Sequence, residues 1–211
     1  MTLQQQHLIQ ISRRRVSDLV LFVFTAAELV ALIQLTPHFD AVDWIYVLQN
    51  LLVLGIALTR HAPVAQDRSL PSAIAVAISI TYPYAQVICL TWMDGYDGWP
   101  AGGLILVALA ACLSLASLLS LGRFFGFRPA LRGLATHGAY RFVRHPMYLA
   151  YFISDIGYEL SEWNLGTLLL VLAGWASLIY RIRAEERILS QGEGWTAYTK
   201  TVRYRLLPGI W

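Results

Sequence analysis

The residues best suited to chemistry in this 211-residue chain follow residue 122, where glycine, arginine, histidine and proline collect. The string GAYRFVRHPMY, residues 138–148, holds two tyrosines on either side of an arginine–histidine–proline sequence. Pro146 disfavours helical structure at His145 and suits the first turn of a helix, so a helix is predicted to begin there. The free backbone N–H groups at such a start attract anions, including a cofactor carboxylate. The rings of Tyr140 and Tyr148 are able to stack on a base or face a cation.

Two further polar clusters lie close to the C-terminus. In YRIRAEERIL, residues 180–189, Arg181 and Glu185 share a helix face, and Glu186 is expected to pair with Arg183 three residues earlier. The segment GEGWTAYTKTVRYRLLPGIW, residues 192–211, is amphipathic and rich in aromatic residues, which predicts an interfacial segment that covers a site. Each cluster has a plainer interpretation as well: an interfacial tyrosine belt, a solvated charged helix end and a membrane-surface tail.

No metal site is predicted, because the sequence contains no CxxC, no HExxH and no His/Cys cluster. Cys89 and Cys112 both lie in apolar runs and are expected to be small buried hydrophobic residues. They do not indicate a disulfide framework.

The elements that must position these clusters are apolar. The chain is 57% hydrophobic and 14% charged, whereas a soluble domain carries about a quarter charged residues. Spans of membrane length are predicted at about 18–36, 44–60, 71–93, 100–122 and 163–181, and the shorter run 147–162 forms a helical hairpin with the last of them, with its tip at Ser161–Asn164. The prediction is an all-α polytopic protein of five to six spans. Residues 1–122 are predicted to form four spans, and residues 123–211 to form a catalytic region whose candidate residues lie on the cytoplasmic side.

The positions of the basic residues predict the orientation. With the N-terminus inside, all 16 lysines and arginines fall on inside segments, beginning with Arg13, Arg14 and Arg15. The outside loops carry acids but no lysine or arginine, and their tryptophans are expected to lie at the interface. Both termini are therefore expected in the cytoplasm, in a prokaryotic plasma membrane, as the compact length suggests. The basic residues are expected to contact the anionic lipid surface, so the bilayer is the expected partner and nucleic acid is not. The sequence does not indicate the oligomeric state.

Together these strings resemble a known family. GxYxxxRHPxY, an apolar hairpin, RxxxEE and GxxWxxYxxxVxYRLLPxxW follow one another over residues 120–211, as in the isoprenylcysteine carboxyl methyltransferases and the related membrane phospholipid methyltransferases. The resemblance implies a pocket for S-adenosylmethionine between the RHPxY loop and the end of the last span. Its lining would be Arg132, Gly133, Leu134, Ala135, Tyr140, His145, Pro146, Met147, Tyr148 and Glu185. Arg181 falls where that family holds the substrate carboxylate.

The expected reaction is methyl transfer to a lipophilic acceptor, above all carboxyl O-methylation of an isoprenylcysteine-like or other prenyl or lipid substrate. A carboxylate acceptor is already ionised and needs only a cation such as Arg181, whereas an amine acceptor would need a base such as His145. Glu185 is expected to contact the cofactor's ammonium or ribose. Asp155 and Glu159 lie at membrane depth, where acids are costly, and either recognise the acceptor or form a satisfied polar pair.

Other functions stay open at this stage. A phospholipid N-methyltransferase or a thiol S-methyltransferase would fit the same motifs with a different acceptor. Membrane sterol or isoprenoid reductases, which use NADPH, carry a similar RHPxY-like string and closing YRxxP segment. A transporter or scaffold would instead spread polar residues through several spans.

Overall fold

A computed structural model describes residues 3–35, 41–93 and 96–211, with side chains described from residue 18 onward except at 35, 91, 96 and 97. Within these ranges the chain is mostly helical. The helices are α1 (Leu3–Leu35), α2 (Ala41–Thr59), α3 (Leu70–Trp92), α4 (Pro100–Leu121), α5 (Pro146–Ser161), α6 (Leu165–Leu189) and α7 (Trp195–Thr201). Two antiparallel ladders join distant loops: β1 (Ala65–Gln66) pairs with β3 (Ala130–Leu131), and β2 (Tyr96–Asp97) pairs with β4 (Glu162–Trp163).

Four helices in the described part of the chain are long and apolar enough to cross a membrane. They are Ala41–Thr59, Leu70–Leu90, Pro100–Phe124 and Leu165–Leu189. The span predicted at 18–36 falls largely on α1, whose first side chains lie outside the described residues. The shorter α5 has 16 residues. Four of the predicted spans therefore correspond to helices of membrane-crossing length, and the count of five to six stays a prediction.

The predicted hairpin of α5 and α6 is present, and local caps explain its limits. Its tip is β4 followed by Asn164, whose side chain accepts from the backbone N–H of Thr167 at 2.9 Å. The Thr167 hydroxyl accepts in return from the Asn164 N–H at 3.0 Å, which completes a capping box. At its other end α6 continues to Leu189, beyond the limit predicted at 181. The charged side chains of its last turns form long-range contacts with other segments.

The two arms of the hairpin pack mainly on other helices. Helix α5 lies chiefly against α4 and α6 chiefly against α3, whereas α5 and α6 contact each other little. Small residues allow the close approach: a Cβ on Gly103 would lie 2.4 Å from the carbonyl oxygen of Gly157, and a Cβ on Gly174 would lie 2.8 Å from the ring of Tyr82. The hairpin is thus inserted between helices of the N-terminal half.

Polar contacts concentrate at one end of the bundle. The Arg60 guanidinium contacts Asp18 at 2.5 Å, and the Arg123 Nε donates to the carbonyl oxygen of Thr59 at 2.6 Å. Exposed Trp99 and Trp163 lie at the other end, beside the β2–β4 ladder. The cytoplasmic location of the basic end stays a prediction, and the side chains of Arg13, Arg14 and Arg15 lie outside the described residues.

Candidate active site

The loop after α4 folds back over the polar end of the bundle. Its β3 strand pairs with β1, and the backbone N–H of Ala139 donates to the Ser120 hydroxyl of α4 at 3.2 Å. Gly133 has φ 148°, and a Cβ there would lie 2.3 Å from the ring of Phe124. A Cβ on Gly126 would lie 2.9 Å from the guanidinium of Arg132. Glycine at both positions therefore lets the loop pack closely around Arg132.

Helix α5 begins at Pro146, as predicted, and the C-terminal segment closes over its start. The backbone N–H groups of Arg144 and His145 donate to the carbonyl oxygens of Tyr204 and Arg205, both at 2.9 Å. Pro146 is buried within this junction. The C-terminal segment is thus tied directly to the RHPxY string.

Glu186 stabilises this junction through ion pairs and a contact with His145. Its carboxylate contacts Arg144 at 2.7 Å, His145 Nε2 at 3.3 Å and Arg205 Nε at 2.8 Å. The predicted pairing of Glu186 with Arg183 is wrong, since Arg183 is exposed and Glu186 points to the loop and the tail. Two guanidinium groups and the His145 ring, all from other segments, therefore take the place of the neighbour on the same helix.

Glu185, the adjacent acid, belongs to a different contact. The Tyr148 hydroxyl donates a short hydrogen bond to Glu185, and the guanidinium of Arg181 lies 5.3 Å from the centroid of the Tyr148 ring. Arg181 also donates to the Ser79 hydroxyl of α3 at 2.7 Å and to the carbonyl oxygen of Phe127 at 2.8 Å. Helices α3, α5 and α6 and the loop therefore meet at one buried guanidinium.

These groups surround a single cavity of about 410 Å³. Nine of the ten predicted cofactor residues line it, together with Arg181; they are Arg132, Gly133, Leu134, Ala135, Tyr140, His145, Met147, Tyr148 and Glu185. Pro146, the tenth, lies buried beside the lining and positions the helix start. The structure thus brings the predicted residues together, and their binding roles stay a prediction.

Burial dominates the electrostatics of the loop side of the cavity. Burial, reinforced by the nearby charge of Arg60, lowers the pKa of Arg132 to about 10, so the guanidinium is still charged at neutral pH. Burial also raises the pKa of Tyr140 well above its usual range and that of Tyr198 to about 12. The Tyr198 hydroxyl donates to the Tyr140 carbonyl oxygen at 2.8 Å. Both tyrosines are therefore neutral at neutral pH, and both line the cavity together with Arg132.

Asp155 lies behind the cavity wall. Its carboxylate accepts from the Tyr82 hydroxyl at 2.9 Å and from the Trp175 Nε1 at 2.8 Å, and Tyr82 itself lines the cavity. Glu159 accepts from Thr167 at 3.1 Å and Gln86 at 3.3 Å. Each acid is satisfied by its own partners, an arrangement that favours a structural role over the predicted acceptor recognition by Asp155. In the part of the chain that the structure describes, no three metal-ligating side chains come together.

Several lining residues were missed from the sequence. Trp195 and Tyr198 of α7 line the cavity and lie in the segment that was predicted to cover a site, and Tyr151 lines it one turn after Tyr148. Glu28 and Thr25 of α1 line the same cavity from the N-terminal half. The available signal was Glu28, the single acid well inside the first four predicted spans, but no local pattern connects it with the C-terminal strings.

Comparison with known proteins agrees with the motifs. Residues 100–192 match the model of the phospholipid methyltransferase family. Protein-S-isoprenylcysteine O-methyltransferase A of Arabidopsis thaliana is 24% identical over 161 residues, which cover 72% of this chain and 77% of that protein. Protein-S-isoprenylcysteine O-methyltransferase B of the same plant is 25% identical over 180 residues, which cover 80% and 90%. No solved structure matches the chain significantly. The predicted resemblance to these two kinds of membrane methyltransferase is confirmed.

Proposed function

We propose that this relative of the membrane methyltransferases transfers a methyl group from S-adenosylmethionine to a lipophilic acceptor, by O-methylation of a carboxylate such as that of an isoprenylcysteine. One observation carries the proposal. A single cavity extends from a polar loop at the end of the bundle to intramembrane helices, and Tyr148, Glu185 and Arg181 lie where the two parts join. Such a cavity suits a polar cofactor from water and an apolar acceptor from the bilayer.

The residues at the loop end fit the proposed cofactor. A methionine carboxylate needs a cation, and the buried Nε of Arg132 has no hydrogen-bond partner in the structure. The guanidinium of Arg132 fits beside Gly126 because Gly126 lacks a Cβ. Tyr140 and Trp195 supply aromatic faces for the base and the sulfonium. The cavity volume lies within the range of about 300–1,000 Å³ typical of ligand pockets.

S-adenosylmethionine, when bound, supplies an electrophilic methyl group, so the protein has to align the reactants and exclude water. Glu185 fixes the Tyr148 ring through its hydroxyl, and the ring in turn lies against Arg181. Arg181 is anchored by Ser79 and Phe127 and keeps its Nε unpartnered, which leaves a donor for an acceptor carboxylate. An ionised carboxylate requires no general base. Trp195 and Tyr198 shield the mouth from solvent.

Calorimetry on the purified protein in detergent tests the cofactor. Wild type should bind S-adenosylmethionine, and Glu185→Gln should weaken binding by roughly tenfold or more, the effect of losing a hydrogen bond to a charged group. The matched control is Glu193→Gln, which changes an exposed glutamate of the tail and should bind as wild type does.

Transfer of a labelled methyl group into lipid extracts tests the reaction. A carboxyl methyl ester is base-labile and releases methanol, which separates it from N- and S-methyl products. Binding of NADPH without binding of S-adenosylmethionine would instead support the reductase alternative and refute the proposal.

A further inference from the structure

An ion pair of the N-terminal half lies close to the loop end of the cavity. Arg60 follows directly after α2 and is 4% exposed. Its guanidinium contacts Asp18 of α1 through Nη2 at 2.5 Å and through Nε at 2.6 Å. Neither residue is among those that line the cavity, and neither belongs to the motifs at 138–211. The resemblance therefore assigns this pair no role.

Backbone pairing brings the pair beside Arg132. The segment that follows Arg60 runs antiparallel to the loop after α4, and the backbone N–H of Val64 donates to the carbonyl oxygen of Leu131 at 2.7 Å. The β1–β3 ladder continues the same pairing. Arg132 comes directly after β3, and the charges of Arg60 and Asp18 both act on its guanidinium. Two buried guanidinium groups and one carboxylate therefore form a single charge group.

Arg132 differs from two other guanidinium groups that line the cavity, because those two have partners. Arg181 donates to a hydroxyl of α3 and to a carbonyl oxygen of the loop. Arg144 contacts Glu186 and donates to a carbonyl oxygen of the tail. Arg132 is 8% exposed and, within the described part of the chain, forms no ion pair, and its buried Nε has no hydrogen-bond partner. Arg132 is thus a buried cation that the protein itself leaves unpaired.

The balance of charge favours an anion at Arg132. Arg60 repels the Arg132 guanidinium, whereas Asp18 and Glu185 attract it. Asp18 contacts Arg60, and Glu185 accepts from the Tyr148 hydroxyl, so neither acid pairs directly with Arg132. Like charges held close together in a buried site favour an opposite charge beside them. A carboxylate that enters the loop end of the cavity would be attracted by both guanidinium groups.

We infer that Arg60 and Asp18 are positioning residues of the cofactor site, which act through Arg132 and set its preference for a carboxylate of the ligand. Arg60 strengthens the attraction of the site for the carboxylate. Asp18 holds Arg60 in place and limits that attraction. This inference rests on the proposed function and extends the cofactor site to side chains of the N-terminal half.

Two ligands that differ in one carboxylate test the inference. S-adenosylmethionine carries the carboxylate, whereas decarboxylated S-adenosylmethionine keeps the adenosine, the sulfonium and the amine. In calorimetry on the purified protein in detergent, wild type should bind the first with a Kd at least about tenfold below that of the second, as expected for a hydrogen bond to a charged group. Arg132→Gln should remove most of this preference.

The two positioning residues should change the preference in opposite directions. Arg60→Gln should lower the ratio of the two Kd values by about threefold to tenfold, the size of coupling expected within one charge network. Asp18→Asn should raise the ratio, because the two guanidinium groups lose a competing carboxylate. Arg60→Lys keeps the charge and should retain most of the preference, and it supplies the comparison if Asp18→Asn does not fold. A purely structural role would weaken the binding of both ligands alike and leave the ratio unchanged.

Controls at the same end of the bundle keep the test specific. Arg68→Gln removes an exposed arginine of the loop before α3 and should retain the wild-type ratio. Arg128 also lines the cavity but is only partly buried. Loss of the preference in Arg128→Gln together with its retention in Arg132→Gln would place the carboxylate elsewhere and overturn the inference.

The remaining outcomes separate this inference from the proposed function. An unchanged ratio in Arg60→Gln, or a lowered ratio in both Arg60→Gln and Asp18→Asn, would overturn the inference. Equal affinity of wild type for the two ligands would also overturn it and leave the proposed function intact. Failure of wild type to bind S-adenosylmethionine would refute the proposed function and the inference with it.

Discussion

Replacement of Glu186 by alanine should release the C-terminal segment from the mouth of the cavity. Glu186 is the shared partner of Arg144, His145 and Arg205, which come from the loop, the start of α5 and the tail. Without it, the guanidinium groups of Arg144 and Arg205 lose the carboxylate that they share. The backbone bonds from Arg144 and His145 to the tail would then have to hold the junction alone.

The magnitude follows from burial. The side chains of Glu186 and Arg144 are each 11% exposed and that of Arg205 is 31% exposed. Breaking a buried ion pair costs about 3–5 kcal/mol, and an exposed pair contributes about 1 kcal/mol or less. For this partly buried set we expect the tail to open more easily by about 2–3 kcal/mol, which is roughly a 30- to 150-fold larger open population.

Amide hydrogen exchange measures that population directly. Peptides that cover 142–149 and 202–211 should exchange faster in Glu186→Ala, and Arg205→Ala should show part of the same effect. Arg183→Ala is the matched control, because Arg183 is the exposed neighbour on the same helix, and its exchange should equal that of wild type. Unchanged protection of both peptides in Glu186→Ala would refute this account of the junction.

Two further predictions concern the framework. Gly103→Ala should lower Tm, because the new Cβ would lie 1.9 Å from the Ser161 hydroxyl and force α4 away from α5. Gly55→Ala has no atom within 4 Å of the new Cβ and should raise the free energy of unfolding by about 0.5–1 kcal/mol. Equal thermal unfolding curves for the two variants would contradict this reasoning. Asp155→Asn should lower Tm, since the carboxylate is hydrogen-bonded to Tyr82 and Trp175 behind the cavity wall. The relative kcat/KM values of different acceptors should stay unchanged. A changed acceptor preference with an unchanged Tm would instead support Asp155 as a substrate-recognition residue.

Local chemistry explains which parts of the fold could be predicted. Pro146 fixes the start of α5, and Asn164 with Thr167 fixes the start of α6, because capping acts within one helical turn. The length of an apolar run is also a local property of the sequence, and it predicts the membrane spans. The meeting of Tyr148 and Glu185 was predicted on another basis, the resemblance carried by the RHPxY and EE strings.

Contacts between distant segments could not be predicted in this way. A helical spacing rule pairs Glu186 with Arg183, yet the carboxylate contacts Arg205 and His145, which lie 19 and 41 positions away. Arg181 is likewise bonded to Ser79, 102 positions earlier. The sequence pattern of α6 does not indicate where α3 or the tail lies. The partners of its charged residues therefore follow only from the packing of the whole bundle.

The same packing bears on the predicted division at residue 122. The C-terminal region carries the recognisable strings, but α5 rests on α4 and α6 rests on α3. The side chain that is proposed to hold the acceptor is itself held by Ser79 of α3, and Tyr84 of the same helix orients Glu28. Helix α3 thus contacts two charged side chains, Arg181 and Glu28, that line the cavity. The N-terminal helices therefore do more than anchor the C-terminal region, because α3 positions a side chain that is proposed to bind the acceptor.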